Sequence, residues 1–271
     1  MTMPVSRSVL PVGVFDSGIG GLTVARALMR RLPRERILYF GDTARVPYGV
    51  KSEETIKLFA TQIVEFLLAQ QVKLLIIACN TMAAVAARAL AELAPVPVLD
   101  VIAAGAQGAV ATTHSGRIGV IGTLATVRSG AYDQAIHQLS PQAQVLSQAC
   151  PLFVPLVEEG WLNHAVTRLT AEEYLAPLLA QSVDTLVLGC THYPLLKPLL
   201  QQVTGPQMCL VDSADAMAAQ TEALLKAHGL ENPGTDTVTH QFFVTDMPQR
   251  FQKIGEQFLG RALEPVQMVR L

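Results

Sequence analysis

The sequence contains an internal repeat that strongly restricts the folds open to it. Residues 67–81 and residues 178–192 align without a gap at an offset of 111 residues, which places Cys79 opposite Cys190. From Leu67 to Cys79, seven of thirteen residues are identical between the two copies. Each copy passes from the end of a helical pattern into a short apolar run and then reaches its cysteine. The repeat therefore indicates two related halves, each of which presents one thiol to a shared cleft.

A second echo marks where each half begins. Residues 118–123 repeat the pattern of residues 12–17 at an offset of 106, so that Thr123 corresponds to Ser17. In both halves apolar strands alternate with helical segments, which is typical of parallel sheets covered on both faces. We predict an α/β fold of two pseudo-symmetric α/β domains with mostly parallel sheets and the active site in the cleft between them.

The same patterns predict domain limits and individual elements. The first domain is expected to comprise residues 1–100 plus 213–271, because the last 59 residues are few for a third domain, and the second residues 101–212. Helices are expected from Leu22, after Ser52 to about residue 71, over 82–93, from a capping box at Thr170, from Ser213 and from Pro248. Residues 151–160 are expected to form a loop or a short helix. Strands are expected over residues 9–15, 37–40, 74–78, 98–99, 118–123, 143–147, 185–188, 208–211 and 241–245.

Composition limits the class of protein. Half of the 271 residues are apolar and 15% are charged, which is enough for a substantial core. No clean run of about 20 apolar residues occurs, and the N-terminus lacks the apolar region of a signal peptide. We therefore expect a cytoplasmic protein with no membrane partner. A net charge of −2 argues against a nucleic-acid partner.

Reactive and polar residues follow the predicted strands at their carboxyl ends. Ligands of open parallel sheets bind beyond those ends. Neutral donors there could hold a small ligand, and the amides at the following helix N-termini favour carboxylates. The ends are Asp16-Ser17, Asp42-Thr43, Cys79-Asn80-Thr81, Gly122-Thr123 and Cys190-Thr191-His192.

Two thiols on opposite sides of a ligand suit one reaction type. One sulfur would remove a proton from one face of a carbon atom, and the other would deliver a proton to the opposite face. A thiol pKa near 8.5 is lowered by nearby charge, and a general base works best near the working pH. We therefore expect Cys79 and Cys190 to be reactive thiols of low pKa, whereas Cys150 and Cys209 are core or surface thiols.

Four segments together resemble glutamate racemase, in the family's order and over nearly the whole chain. The resemblance implies cofactor-independent interconversion of L- and D-glutamate for peptidoglycan synthesis, in a homodimer, with no metal. It implies that Cys79 takes the proton from D-glutamate and that Cys190 takes it from L-glutamate. The segments are Val14-Phe15-Asp16-Ser17-Gly18-Ile19-Gly20-Gly21, Gly41-Asp42-Thr43-Ala44-Arg45-Val46-Pro47-Tyr48-Gly49, Ala78-Cys79-Asn80-Thr81 and Gly189-Cys190-Thr191-His192-Tyr193-Pro194-Leu195-Leu196.

The resemblance also implies roles for the neighbours of the two thiols. Asp16 and His192 would assist the thiols, and Glu158 matches a catalytic acid of the family, as Asp42 matches another acid. The substrate-binding residues are expected to be Asp16, Ser17, Tyr48, Gly49, Asn80, Thr81, Thr123, Thr191 and His192, of which Thr123 rests on its place at a strand end.

Alternative interpretations remain at this point. Residues 16–21 could be a phosphate loop, although they lack the lysine of a P-loop. Cys190 and His192 could be metal ligands, although two candidates do not complete a tetrahedral site. His192 could be an ordinary hydrogen-bonding histidine, Glu158 a solvated acid, and Tyr48 could act only through its backbone amide. The protein could also be an aspartate racemase or a non-enzymatic binding protein for a small anion.

Overall fold

The computed structural model describes residues 7–235 and 237–271, and within them ten strands alternate with eleven α-helices. The strands are β1 (Val12–Asp16), β2 (Ile37–Gly41), β3 (Leu74–Ile77), β4 (Val98–Asp100), β5 (Arg117–Gly122), β6 (Gln144–Ala149), β7 (Thr185–Gly189), β8 (Cys209–Val211), β9 (Gln241–Val244) and β10 (Val266–Met268). The helices are α1 (Leu22–Arg31), α2 (Glu53–Ala69), α3 (Asn80–Leu93), α4 (Val101–Thr112), α5 (Leu124–Ser129), α6 (Ala131–Leu139), α7 (Phe153–Glu158), α8 (Ala165–Ala180), α9 (Lys197–Thr204), α10 (Ser213–Ala227) and α11 (Pro248–Leu259).

The strands form two parallel sheets with matching order. The first sheet has the order β10-β9-β2-β1-β3-β4, and the second has the order β6-β5-β7-β8. Every strand pair in both sheets is parallel. The order β2-β1-β3-β4 therefore recurs as β6-β5-β7-β8, and the predicted pair of pseudo-symmetric α/β domains is confirmed. Cys79 and Cys190 follow the equivalent strands β3 and β7.

The sequence repeat is also a repeat of backbone conformation. Gln71 and Ser182 occupy equivalent positions and have positive φ angles of 58° and 53°. Their amides donate to the carbonyl oxygens of Leu68 (2.9 Å) and Leu179 (3.0 Å). A left-handed residue after the last helical turn reverses the chain direction and satisfies free carbonyl groups there. Both halves thus turn from helix to strand in the same way, although neither uses the glycine that usually occupies this position.

Burial explains why the strands appear in the sequence as short apolar runs. Every residue of β1, β2, β3 and β7 is buried. Helices cover both faces of a parallel sheet, so its central strands have no solvent-facing side that would require alternating polar residues. The predicted cap at Ser52 is confirmed, because its hydroxyl accepts a hydrogen bond from the amide of Thr55 at 3.3 Å.

One predicted helix start is wrong. Helix α8 begins at Ala165, and the N-cap is His164, whose Nδ1 accepts from the amide of Val166 at 3.2 Å. Thr170 lies inside this helix and donates its hydroxyl proton to the carbonyl oxygen of Val166 at 2.8 Å. A threonine that bonds back to the preceding turn does not cap the following one. The capping-box pattern at residues 170–173 therefore arises within a continuous helix.

Several elements were not predicted. Helix α4 begins at an aspartate cap, because Oδ1 of Asp100 accepts from the amides of Ile102 (2.9 Å) and Ala103 (3.1 Å). The helices α5, α6 and α9 and the strand β10 were also missed. The segment over residues 151–160 contains the short helix α7, which was one of its two predicted forms.

The last part of the chain joins the first sheet. Strand β9 pairs with β2, and β10 pairs with β9. Helix α10 packs against both α1 and α4. The predicted domain limits, residues 1–100 with 213–271 and residues 101–212, remain a prediction. The N-terminal residues 1–6, on which the expectation about a signal peptide rests, lie outside the described residues.

Within the described part of the chain, none of the helices has both the length and the apolar character needed to cross a membrane.

Candidate active site

Cys79 occupies the N-cap position of α3, two residues after the end of β3. Only 5% of this residue is exposed, and its sulfur lies 3.5 Å from the hydroxyl oxygen of Ser17. Burial, followed by the charge of Asp16, raises the pKa of the Cys79 thiol to about 12. The expectation of a low pKa is therefore wrong for Cys79. The reason is that the sequence showed which polar groups lie close but not how completely they are buried.

Asp16 ends β1 and is fully buried. Its Oδ2 accepts a hydrogen bond from the amide of Gly18 at 3.0 Å, while Oδ1 has no hydrogen-bond partner among the described residues. Burial raises the pKa of Asp16, and the positive charge of His192 acts in the opposite direction. Asp16 thus interacts electrostatically with groups on both sides of the site, because its charge also affects Cys79.

Cys190 has different partners from those of Cys79. Its sulfur lies 3.9 Å from Nδ1 of His192, and Nε2 of His192 lies 3.1 Å from Oε1 of Glu158. Burial alone would lower the pKa of His192, but the hydrogen bonds with Cys190 and Glu158 raise it to about 10. In turn, the hydrogen bond with His192 is the main reason that the pKa of Glu158 is lowered. His192 therefore places a positive charge beside Cys190, and a nearby cation stabilises a thiolate.

Glu158 reaches His192 from the last position of α7. Its second oxygen, Oε2, lies 3.8 Å from a guanidinium nitrogen of Arg250, which belongs to α11. The sequence identified Glu158 but gave no indication of Arg250. The Glu158 side chain is 32% exposed and contacts the imidazole directly, so whether it is a catalytic or a solvated acid stays a prediction.

The glycine-rich turn after β1 joins the two halves of the site. A Cβ atom on Gly20 would lie 2.1 Å from Oγ1 of Thr191 and 2.6 Å from Nδ1 of His192. The hydroxyl of Thr23 donates to the carbonyl oxygen of Thr191 at 3.3 Å. The segment that carries Asp16 and Ser17 beside the first thiol therefore packs directly against the residues that follow the second thiol.

Three hydroxyl groups make a second connection between the halves. Oγ1 of Thr81 lies 2.9 Å from Oγ1 of Thr123, and both lie within hydrogen-bond distance of Oγ1 of Thr126. Gly49 packs on the same threonine, since a Cβ atom there would lie 2.9 Å from Cβ of Thr123. Four of the predicted substrate-binding positions are therefore brought to this point or next to it: Gly49, Asn80, Thr81 and Thr123.

Asp42 and Tyr48 hold the segment that carries Gly49. Oδ2 of Asp42 accepts from the hydroxyl of Tyr48 and, at 2.6 Å, from Nε of Arg45, while Oδ1 accepts from the hydroxyl of Thr245 at 2.9 Å. Burial, followed by the charge of Asp42, raises the pKa of Tyr48. The contacts of Asp42 are thus with the loop that follows β2 and with Thr245 after β9, and the hydroxyl of Tyr48 is already engaged.

Comparison of the chain with protein-family models shows the family to which it belongs. The model of the Asp/Glu/Hydantoin racemase family matches residues 22–221. The chain belongs to this family. Because the family is one of racemases, the prediction of a racemase is confirmed, and the alternative of a non-enzymatic binding protein is set aside.

Individual relatives of this racemase are glutamate racemases. One from Syntrophus aciditrophicus is 66% identical over 261 residues, covering 96% of this chain and 97% of the relative. One from Neisseria meningitidis serogroup A is 57% identical over 262 residues, covering 96% and 97%. The crystal structure of glutamate racemase from Francisella tularensis in complex with D-glutamate superposes with a TM-score of 0.92 and 41% identity, covering 97% of this chain and 98% of that one.

Tyr132 is a second site residue of the racemase, after Arg250, that sequence reasoning missed. The hydroxyl of Tyr132 donates to Oδ1 of Asn80 at 2.7 Å, across the two halves. Tyr132 lies in α6 and belongs to neither copy of the repeat, so no pattern drew attention to it.

The other two thiols of the racemase have structural surroundings. Cys150 is fully buried, with its sulfur 3.6 Å from the carbonyl oxygen of Gln148, and Cys209 begins β8. Across the described ranges, no group of three or more histidine, cysteine, aspartate or glutamate side chains is arranged to hold a metal ion.

Proposed function

We propose that the protein is a cofactor-independent glutamate racemase that interconverts L- and D-glutamate through two cysteine bases. The observation that carries this proposal is the asymmetry at two equivalent strand ends. The Cys79 sulfur lies beside Ser17 and close to Asp16, and the Cys190 sulfur lies beside the imidazole that Glu158 holds. The similarity to glutamate racemases, one of them in complex with D-glutamate, supports the choice of substrate.

The reaction proceeds through two balanced proton transfers. From L-glutamate, the Cys190 thiolate forms an S–H bond with the Cα proton, and the electron pair of the broken C–H bond remains on the substrate as a carbanion. The Cys79 thiol then gives its proton to the opposite face of Cα and becomes a thiolate. The reverse direction begins at Cys79. Hydrogen-bond donors around the carboxylate hold Cα of the substrate between the two sulfurs.

The local environments fit this order of events. The pKa of Cys79 is raised, so this residue carries the proton that the reaction from L-glutamate needs. His192 provides the positive charge beside the sulfur that acts as the base. His192 and Asp16 are the assisting groups of the two thiols, and Ser17, Tyr48, Gly49, Asn80, Thr81, Thr123 and Thr191 form the substrate-binding set together with them.

Racemisation by the alanine variants tests the proposal. Cys79→Ala and Cys190→Ala are expected to abolish racemisation of both enantiomers, measured by circular dichroism, while the matched control Cys150→Ala retains it. Enantiomers have equal free energies, so any partial loss must lower kcat/KM equally in both directions. Full activity in either of the first two variants would contradict the two-base mechanism. The same assay with aspartate is expected to show little turnover.

We also propose that the product supplies peptidoglycan synthesis, and that the protein works in the cytoplasm as a homodimer. These proposals rest on the family resemblance. Expression of the gene in a bacterial strain that requires D-glutamate is expected to remove that requirement, whereas the Cys190→Ala variant is expected not to. Light scattering after size-exclusion chromatography is expected to give the mass of two chains, and the mass of one chain would contradict the dimer.

A further inference from the structure

Tyr132 lies between the two thiol-bearing strand ends. It is buried, with 2% of its surface exposed, and its hydroxyl donates to Oδ1 of Asn80, the residue after Cys79. Burial is the main reason that the pKa of Tyr132 is raised, followed by the charges of Asp100 and Cys190. The phenol therefore stays protonated and remains a hydrogen-bond donor.

Two glycines fix the position of the Tyr132 ring. A Cβ atom on Gly189, the residue before Cys190, would lie 3.0 Å from Cε2 of the ring. A Cβ atom on Gly105 of α4 would lie 2.9 Å from the hydroxyl oxygen. The ring and its hydroxyl therefore occupy the space that a side chain at either glycine would fill. Tyr132 is thus held by the segment of one thiol while it bonds to the residue beside the other.

The bond to Tyr132 determines how the Asn80 amide points. A phenol that donates to Oδ1 leaves Nδ2 at the opposite edge of the planar amide, pointing away from the phenol. Asn80 is 3% exposed, and its Nδ2 is buried with no hydrogen-bond partner among the described residues. Buried donors are nearly always paired, so an unpaired one beside reactive groups is available to a ligand. An acceptor such as a carboxylate oxygen would satisfy it.

We propose that Tyr132 is a positioning residue, whose hydroxyl orients the Asn80 amide so that Nδ2 donates to a carboxylate oxygen of the amino-acid substrate. The proposal rests on the racemase function proposed above. It concerns ground-state binding, because a carboxylate oxygen accepts this hydrogen bond before the Cα proton moves as well as afterwards. The variant without the hydroxyl should therefore bind substrate less tightly and turn it over at the normal rate.

The test uses two variants that affect the Tyr132 hydroxyl in different ways. Tyr132→Phe removes it, and Gly105→Ala displaces it. Each is expected to raise KM for both glutamate enantiomers about fivefold to tenfold with unchanged kcat, because an interaction made equally in ground and transition states affects KM alone. Tyr174→Phe is the matched control, since the hydroxyl of Tyr174 only accepts a long bond of 3.4 Å from the amide of Leu152.

A double-variant cycle separates positioning from a purely structural role. In the Asn80→Ala background, Tyr132→Phe is expected to have no further effect on KM, because the amide that it orients is absent. An additive effect in that background, or an unchanged KM in Tyr132→Phe alone, would overturn the proposal. Failure of the wild-type protein to racemise glutamate would instead overturn the proposed function, so the two failures are distinguishable.

Discussion

Gly20 of the first half lies so close to Thr191 of the second half that a single added carbon would stand 2.1 Å from the threonine hydroxyl oxygen. Contact at this distance leaves room for hydrogen and nothing larger. The glycine-rich turn that carries Asp16 and Ser17 is thereby placed in register with the segment that follows Cys190.

Substitution of Gly20 by alanine should therefore impair activity more than it impairs folding. The new methyl group displaces Thr191 and Nδ1 of His192, and a shift of about 1 Å in a reacting group costs about 100-fold in rate. Steady-state kinetics of Gly20→Ala measures the loss. The matched control is Gly116→Ala, where no atom lies within 4 Å of the added carbon but φ is +72°. That control should lose about 1 kcal/mol of stability and retain full activity. Normal activity in Gly20→Ala would contradict the close contact.

Glu158→Gln tests the charge state of His192. Loss of the carboxylate removes a partner that raises the pKa of His192 to about 10. A hydrogen bond to a charged group is worth enough to move that pKa down by about one unit or more. The alkaline limb of the pH profile of kcat/KM should therefore move to lower pH. The exposed neighbour Glu159 provides the control, because Glu159→Gln should leave the profile unchanged. An unmoved limb in Glu158→Gln would show that this carboxylate does not hold the imidazolium.

The same pair of residues links pH to stability. The pKa of His192 is higher in the folded state than its usual 6.5, so the stabilisation is complete below about pH 6.5 and disappears as the pH rises through about 10. Chemical denaturation of the wild-type protein should show this decline, and Glu158→Gln should show a smaller one. Equal declines in both proteins would contradict the account of the His192 pKa.

Lys73→Met should destabilise the protein without touching the site. The Lys73 ammonium is fully buried and lies 2.5 Å from Oε2 of Glu35, 2.5 Å from the carbonyl oxygen of Ser8 and 2.7 Å from that of Leu230. Removing one partner of a buried ion pair leaves the other charge uncompensated, at a cost of about 3–5 kcal/mol. Urea denaturation measures the loss, and activity per folded molecule should be unchanged.

Neutralising the partner should recover part of that loss. In Lys73→Met with Glu35→Gln, neither member of this buried pair is charged, and the glutamine oxygen still accepts the Asn232 amide hydrogen bond that Glu35 accepts at 2.8 Å. The exposed pair Arg88 and Glu92 is the control, since Arg88→Met should cost less than about 1 kcal/mol. A double variant less stable than Lys73→Met would show that the charge of Glu35 is not the source of the cost.

The sheets could be predicted from the sequence because their strands are buried on both faces. Such strands are continuous apolar runs. The repeat of Leu67–Cys79 also places the strands β3 and β7 at the same point of each copy. Helix α4 escaped prediction for a related reason. It packs against α6, α10 and β7, so its alanine- and glycine-rich sequence has no polar face and no helical period. The start of α8 was misplaced because Thr170 imitates a cap while it bonds back to Val166.

The sequence predicted mainly those site residues that follow the ends of strands. Cys79, Cys190 and their immediate neighbours follow equivalent strands, so the fold brings them together. The high pKa of Cys79 depends on how completely Asp16 and the thiol are buried. The residues next to Cys79 in the sequence do not indicate this degree of burial. Tyr132 and Arg250 reach the site from α6 and α11, outside every motif. Only the packing of the two halves shows that they contact Asn80 and Glu158.

Isotope incorporation during the first turnovers in deuterated water tests the two-base mechanism most directly. If one sulfur removes the proton and the other delivers its own, the product enantiomer carries deuterium at Cα from the start, while the remaining substrate keeps its hydrogen. NMR spectroscopy after separation of the enantiomers measures both pools. We predict a deuterated product and an unlabelled substrate in each direction. A product that retains the hydrogen of the substrate, or a substrate that gains deuterium as fast as the product, would contradict the mechanism.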